Sequence, residues 1–256
     1  TVYQNDFASI DTSNTSQGYV MVKYNGTNEK VKLQITCPDQ SCYTYLISDR
    51  GAYDTFPLTA GNGSYALQVL ENVAGDTYTV SLAQSINVSI EDEFLPFLYP
   101  NQYVNFHTDS KAVSKGSDLA KDTYSDLDVV QNIYNYVIKN ISYDTEKAQN
   151  VSYGYVPDID DTLSSKKGIC FDYAALMTSM LRSQNIPTKL EVGYSGDAYH
   201  AWISTYIDDK GWVDDIIQFN GNTWQIMDPT LAATNDSAAV KKYVGDGSHY
   251  VVKYTY

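Results

Sequence analysis

Up to about residue 90 the apolar positions recur at every second residue. Tyr19 to Tyr24, Val31 to Ile35, Tyr43 to Ile47, Tyr65 to Leu70, Tyr78 to Leu82 and Ile86 to Ile90 all alternate apolar with polar side chains, the period of a strand with one buried face. Asn-Gly, Asn-Gly-Ser and Ala-Gly-Asp sequences separate these runs and supply the backbone conformations that tight turns need. Short strands at this spacing predict an all-β sandwich of immunoglobulin-like architecture over residues 1–90. Such a module more often positions an enzyme than performs chemistry.

The period changes after residue 90, so residues 91–256 form the second expected domain. Glu91 to Gln102, with Pro96 and Pro100 among Phe94, Leu95, Phe97, Leu98 and Tyr99, is too apolar for a free linker. Leu127, Val130, Tyr134, Val137 and Ile141 keep helical spacing, and Ser125 stands three residues before Asp128 as an N-cap. A second helix is predicted at Cys170, with Ala174, Met177 and Leu181 on one stripe and Tyr173, Leu176 and Met180 beside it. From Tyr199 to Ile207 the alternation returns, with His200, Trp202, Ser204 and Tyr206 on one face. Asp208-Asp209-Lys210-Gly211 then makes a turn. After a strand-like piece from Trp212 to Phe219, Trp224, Ile226 and Asp228 share one face of a strand that Pro229 ends.

Three stretches on these elements carry chemistry: Gly168-Ile169-Cys170-Phe171-Asp172-Tyr173-Ala174, Tyr199-His200-Ala201-Trp202 and Met227-Asp228-Pro229-Thr230. A thiol is a strong nucleophile only as thiolate, and its ordinary pKa of about 8.5 must be lowered by an imidazolium or a helix N-terminus. Cys170 sits in the first turn of its predicted helix, where the macrodipole favours an anion. Antiparallel pairing of the downstream strands is expected to put the Asp228 carboxylate beside His200. There it would accept the Nδ1 proton and turn the other nitrogen toward Cys170.

The order Cys, His, Asp within a G-[IV]-C-x-[DE]-[YF]-A helix start, an H-A-W strand and a D-P-T resembles the transglutaminase-like superfamily of papain-type thiol enzymes. The resemblance runs from about Ser125 to Thr230 and includes Leu181 to Thr188, where the family has a helix end, an Ile-Pro turn and a strand. It implies an α+β catalytic domain in which the Cys helix packs on a central antiparallel sheet. Cys170 becomes nucleophile, His200 general base and Asp228 orienter. The family's oxyanion donor is partly an aromatic side chain upstream of the Cys; Tyr143, Tyr153 and Tyr155 are candidates here, and Tyr155 is the choice.

Composition narrows the rest. A net charge of -14 opposes nucleic acid and anionic membrane surfaces as partners. Arg50 and Arg182 are the only arginines, so no bidentate phosphate cluster exists. No apolar run approaches the ~20 residues of a spanning helix. Cys37 and Cys42 flank Pro38-Asp39-Gln40-Ser41, a turn able to bring their Cα atoms within the roughly 5.5–6 Å of a disulfide. That pairing leaves Cys170 as the odd thiol of a secreted enzyme; the alternative is three reduced thiols in a cytoplasmic protein. Abundant Tyr, Asn, Thr and Ser with few Arg resembles extracellular or cell-surface proteins of Gram-positive bacteria. Asp158-Ile159-Asp160-Asp161 lacks the Gly and distant Glu of a calcium loop and reads as a solvated turn. His107, His200 and His249 are too scattered for zinc. No metal or cofactor is expected. The expected activity is acyl transfer from peptide or protein amides through a Cys170 thioester, with hydrolysis preferred. Transamidation and a non-catalytic cell-surface binding module, on a cell wall or host surface, are the alternatives.

Overall fold

The alternation upstream of residue 90 becomes β1 (Val2–Gln4), β2 (Ala8–Asp11), β3 (Tyr19–Tyr24), β4 (Val31–Thr36), β5 (Cys42–Leu46), β6 (Tyr53–Pro57), β7 (Gly63–Ala74) and β8 (Thr77–Val88). They form two antiparallel sheets, ordered β1-β2-β3-β6 and β5-β4-β7-β8. Every second residue of β3 and of β4 is buried. Val20, Val22 and Phe56 from one sheet and Leu33, Ile35, Leu67 and Val69 from the other are almost wholly inaccessible, and each such side chain contributes about 1.5–3 kcal/mol on burial. The rings of Tyr45 and Phe56, one from each sheet, meet edge to face at 4.9 Å. This computed structural model describes residues 1–195, 197–208, 210–213, 217–219, 224–226 and 250–256. The chain divides into two units, Thr1–Pro96 and Phe97–Tyr256.

Two expectations for the first unit need correction. The runs 78–82 and 86–90, expected as separate strands, join in the single strand β8, which ends at Val88. Ala83-Gln84-Ser85 contains no Gly, Pro, Asn or Asp, and the β7 ladder runs straight through it after a register shift at Val69/Leu70. The expected Cys37–Cys42 disulfide is absent, and all three cysteines are free thiols. Cys37 is 3% exposed in the core, whereas Cys42 is exposed on β5, next to the inward-facing Tyr43. A disulfide requires converging Cβ vectors, and here one points inward and the other outward. Burial pushes the Cys37 thiol up to about 11.

The second unit contains α1 (Lys111–Ala120), α2 (Asp126–Asn140), β9 (Ser142–Tyr143), α3 (Thr145–Asn150), α4 (Ile159–Ser165), β10 (Lys167–Gly168) and α5 (Cys170–Arg182). Then come β11 (Thr188–Ser195), β12 (Ala198–Ile207), β13 (Gly211–Val213), β14 (Ile217–Phe219), β15 (Trp224–Ile226) and β16 (Tyr250–Thr255). Ser125 caps α2 as its sequence predicts, its side chain accepting from the Asp128 N–H at 3.2 Å. The centre of the unit is α5, against which α1, α2, α4, β11 and β12 all pack. Tyr173 through Met177, Met180 and Leu181 are at most 1% exposed, so this helix is buried all round rather than on one stripe.

The main sheet is antiparallel in the order β13-β12-β11-β16. Gly193 lies opposite His200 at the shift in the β11–β16 register. A Cβ at Gly193 would fall 2.0 Å from the Val251 carbonyl oxygen, so only glycine lets β16 approach here. Arg182, 3% exposed, closes the far end of α5. It donates to the Thr188 and Tyr256 carbonyls at 2.8 and 2.7 Å and to Tyr99 O at 2.7 Å. The run from Trp212 to Phe219, expected as one strand, is split between β13 on the main sheet and β14, which pairs with β15 in a separate two-stranded ladder. The Asp158–Asp161 stretch is a helix start rather than a solvated turn. Asp158 accepts from the Asp161 N–H at 2.9 Å, and Asp160 accepts from the Lys111 and Ala112 N–H groups at 3.0 and 2.9 Å, joining α4 to the first turn of α1.

Candidate active site

Cys170 is the first residue of α5 and is partly exposed. The chain enters it through Lys167 and Gly168, paired in parallel with Ser142 and Tyr143. Gly168 is extended. A Cβ there would meet the Asp172 Cβ at 2.7 Å, so glycine is required by close approach. The N–H of Ile169, immediately before Cys170, donates to Asp172 Oδ2 at 2.8 Å. This is the half of a capping box in which the third helical residue reaches back to the start of the helix.

His200 is the third residue of β12 and is 6% exposed. Its ring stacks at 6.1 Å on Trp202, two residues along the same face, and lies 6.3 Å from the Tyr250 ring of β16. Trp202 and Tyr250 meet edge to face at 4.8 Å. Trp202 Nε1 and Ser204 Oγ both donate to Glu191 Oε2, at 3.0 and 2.6 Å. A buried carboxylate on β11 thus orients the face that carries His200.

The thiol and this strand are linked through Tyr199, the residue before His200. Its phenol pKa is raised first by partial burial and then by the neighbouring Tyr254, Tyr194, Cys170 and Tyr153. Helix α5 packs on β12.

The remaining predicted site residues fare differently. Asp228 lies outside the described residues. Tyr155 donates its single hydroxyl proton to Asp172 Oδ1 at 2.5 Å and accepts from Lys147 Nζ at 2.6 Å. That proton is committed, so Tyr155 is not poised as an oxyanion donor; it buttresses the start of α5 instead. Tyr153 is 80% exposed and Tyr143 lies in β9. Sequence reasoning missed Glu191, Lys147 and Tyr250. Only Asp172 carried a local signal, its place three residues after Ile169. No group of three or more His, Cys, Asp or Glu able to hold a metal ion occurs among the described residues. Nor is any helix among them long and apolar enough to cross a membrane.

Residues 114–214 match the family model of the transglutaminase-like superfamily. The matched span contains Cys170 and His200 and ends before Asp228. A UPF0252 protein of Methanocaldococcus jannaschii is 30% identical over 118 residues, 40% of this chain and 34% of that protein. The kyphoscoliosis peptidase of Mus musculus is 30% identical over 107 residues, 37% of this chain and 16% of that protein. The chain thus spans about a third or less of each of these relatives. Among solved structures, it is similar to a Cytophaga hutchinsonii chain assigned as a cysteine protease, at 14% identity and a TM-score of 0.47 over 100% of this chain and 73% of that one. Red sea bream transglutaminase follows at 15% identity and a TM-score of 0.32, over 86% of this chain and 49% of that one.

Proposed function

We propose that the transglutaminase-like domain of this chain transfers acyl groups from peptide or protein amides through a thioester on Cys170. The observation that supports the reading is a partly exposed cysteine at the first position of α5, a helix that packs on the strand carrying buried His200. His200 takes the thiol proton as Cys170 Sγ attacks the amide carbonyl carbon, then delivers it to the departing amine. The acyl group is left as thioester. The first-turn N–H groups of α5 have no intrahelical acceptor and suit the oxyanion that forms. Water, deprotonated by His200, then attacks the thioester and releases a carboxylic acid with the free thiol. Asp228 is assigned to orient His200 on its sequence position alone.

Hydrolysis is the preferred outcome because water is always present, whereas transamidation needs a cleft that admits an amine and excludes water. An immunoglobulin-like architecture for the first unit and an extracellular or cell-surface setting belong to the same proposal. With Cys37 and Cys42 free, composition is what supports that setting. A peptide library containing Gln, offered with and without a labelled primary amine, tests the activity. Cleaved or deamidated peptide supports hydrolysis, and amine incorporation supports transamidation. Neither product, together with a Cys170 that alkylates no faster than an ordinary thiol, would leave a surface-binding module.

A further inference from the structure

Behind the first turn of α5 lies a closed polar cluster. Asp172 is wholly buried, at 0% exposure. Its Oδ2 accepts from the Ile169 N–H and stands 2.7 Å from Lys147 Nζ of α3, while its Oδ1 accepts from the Tyr155 hydroxyl. The Lys147 ammonium also donates to the Tyr155 oxygen and lies over the Tyr155 ring, 4.5 Å from its centroid. The Tyr155 ring in turn packs at 6.5 Å on Phe171, the residue after Cys170. Both Asp172 oxygens are therefore used, as a buried carboxylate requires. The Tyr155 phenol is held strongly in its protonated form, first by burial and then by the adjacent Asp172, so it remains a donor.

The cluster acts on the residue before the thiol. Asp172 fixes the Ile169 N–H and hence the direction in which the chain leaves β10 for Cys170. A carboxylate left unpaired at this depth would rearrange toward another partner rather than hold that bond. We infer that Lys147 and Tyr155 are positioning residues for Cys170, acting through Asp172. This rests on Cys170 being the nucleophile. Among the described residues, the charged or titratable groups that face this cluster include Asp172 on the helix itself, Lys147 of α3, Tyr155 from the segment before α4, and Asp158 and Asp161 at the start of α4.

The test uses the whole chain with Lys147→Met, Tyr155→Phe, Asp172→Asn and the double variant Lys147→Met/Asp172→Asn. Chloroacetamide alkylation of Cys170 is followed by peptide mapping, with exposed Cys42 as internal reference. Peptide turnover and thermal midpoints are measured alongside. Lys147→Met is expected to slow Cys170 alkylation and kcat about tenfold or more, with KM little changed, because small misplacements of a nucleophile are costly. The double variant should regain most of that loss, since asparagine caps Ile169 without a charge to neutralise. Tyr155→Phe removes one oxygen and should slow Cys170 measurably in a folded protein, which keeps the test decisive if Lys147→Met unfolds. Folded Lys147→Met and Tyr155→Phe variants that alkylate at the parent's rate, or a double variant no faster than Lys147→Met, overturn the inference. A parent whose Cys170 reacts no faster than Cys42 overturns the nucleophile reading, and this inference with it.

Discussion

Trp202 Nε1 donates to Glu191 Oε2 at 3.0 Å across the β11–β12 pair, on the face that carries His200. The same oxygen accepts from Ser204, and the Trp202 ring stacks on His200. The imidazole is thus supported by an aromatic wall that is itself pinned by a buried carboxylate.

Glu191→Leu strands two buried donors, each costing about 1–3 kcal/mol. The expected result is a lower urea midpoint and slower peptide turnover, with Glu191→Gln milder in both. Unfolding curves superimposable on the parent's would show that Glu191 does not support this face.

Cys170→Ala is expected to abolish acyl transfer with little loss of stability, and His200→Ala to match it in activity. Because the two residues work as one unit, the double variant should be no worse than either single one. Additive losses in single-turnover assays would break the pairing.

Asp228→Asn should keep the fold and sharply slow reaction at Cys170, since an amide can hydrogen-bond to His200 but no longer favours the imidazolium. A variant that unfolds, or that alkylates like the parent, makes Asp228 structural.

The three free cysteines should differ under alkylation. Exposed Cys42 and Cys170 react in the native protein, whereas Cys37, buried and held protonated to about pH 11, stays unmodified at pH 8. The folded state keeps the Cys37 proton where the unfolded chain, near pH 9, releases it, so this group's contribution to stability is present below pH 9 and is lost as pH rises toward 11. Replacing Cys37 by Ala should flatten that alkaline loss. A Cys37–Cys42 disulfide found by mapping without reductant would overturn the prediction.

Burial lowers the Arg182 guanidinium to about 9, which leaves it protonated at neutral pH. Arg182→Met leaves three carbonyls without their donor and should cost about 3 kcal/mol or more. Arg182→Lys should recover only part, because an ammonium cannot span the three acceptors as a planar fork does. Chemical denaturation measures both.

What the sequence determined by itself is what depends on neighbours in the chain. Period two marked β3, β4 and β12, helical spacing with Ser125 marked α2, and helical spacing from Cys170 onward placed that residue within the first turn of α5. The G-I-C-F-D-Y-A and H-A-W motifs drew attention to Cys170 and His200 for the same reason, since each lies inside one short element. The tertiary structure decided the contacts that join distant segments. Lys147 and Tyr155 meet Asp172 from 25 and 17 residues upstream, and β16 reaches β11 only because Gly193 leaves room for its backbone. Cys37 and Cys42 are close in sequence, yet the sheet sends one side chain into the core and the other to solvent. Periodicity reports which face of an element is apolar, but the partner that a buried polar group finds is set by packing between elements, and no local pattern encodes it.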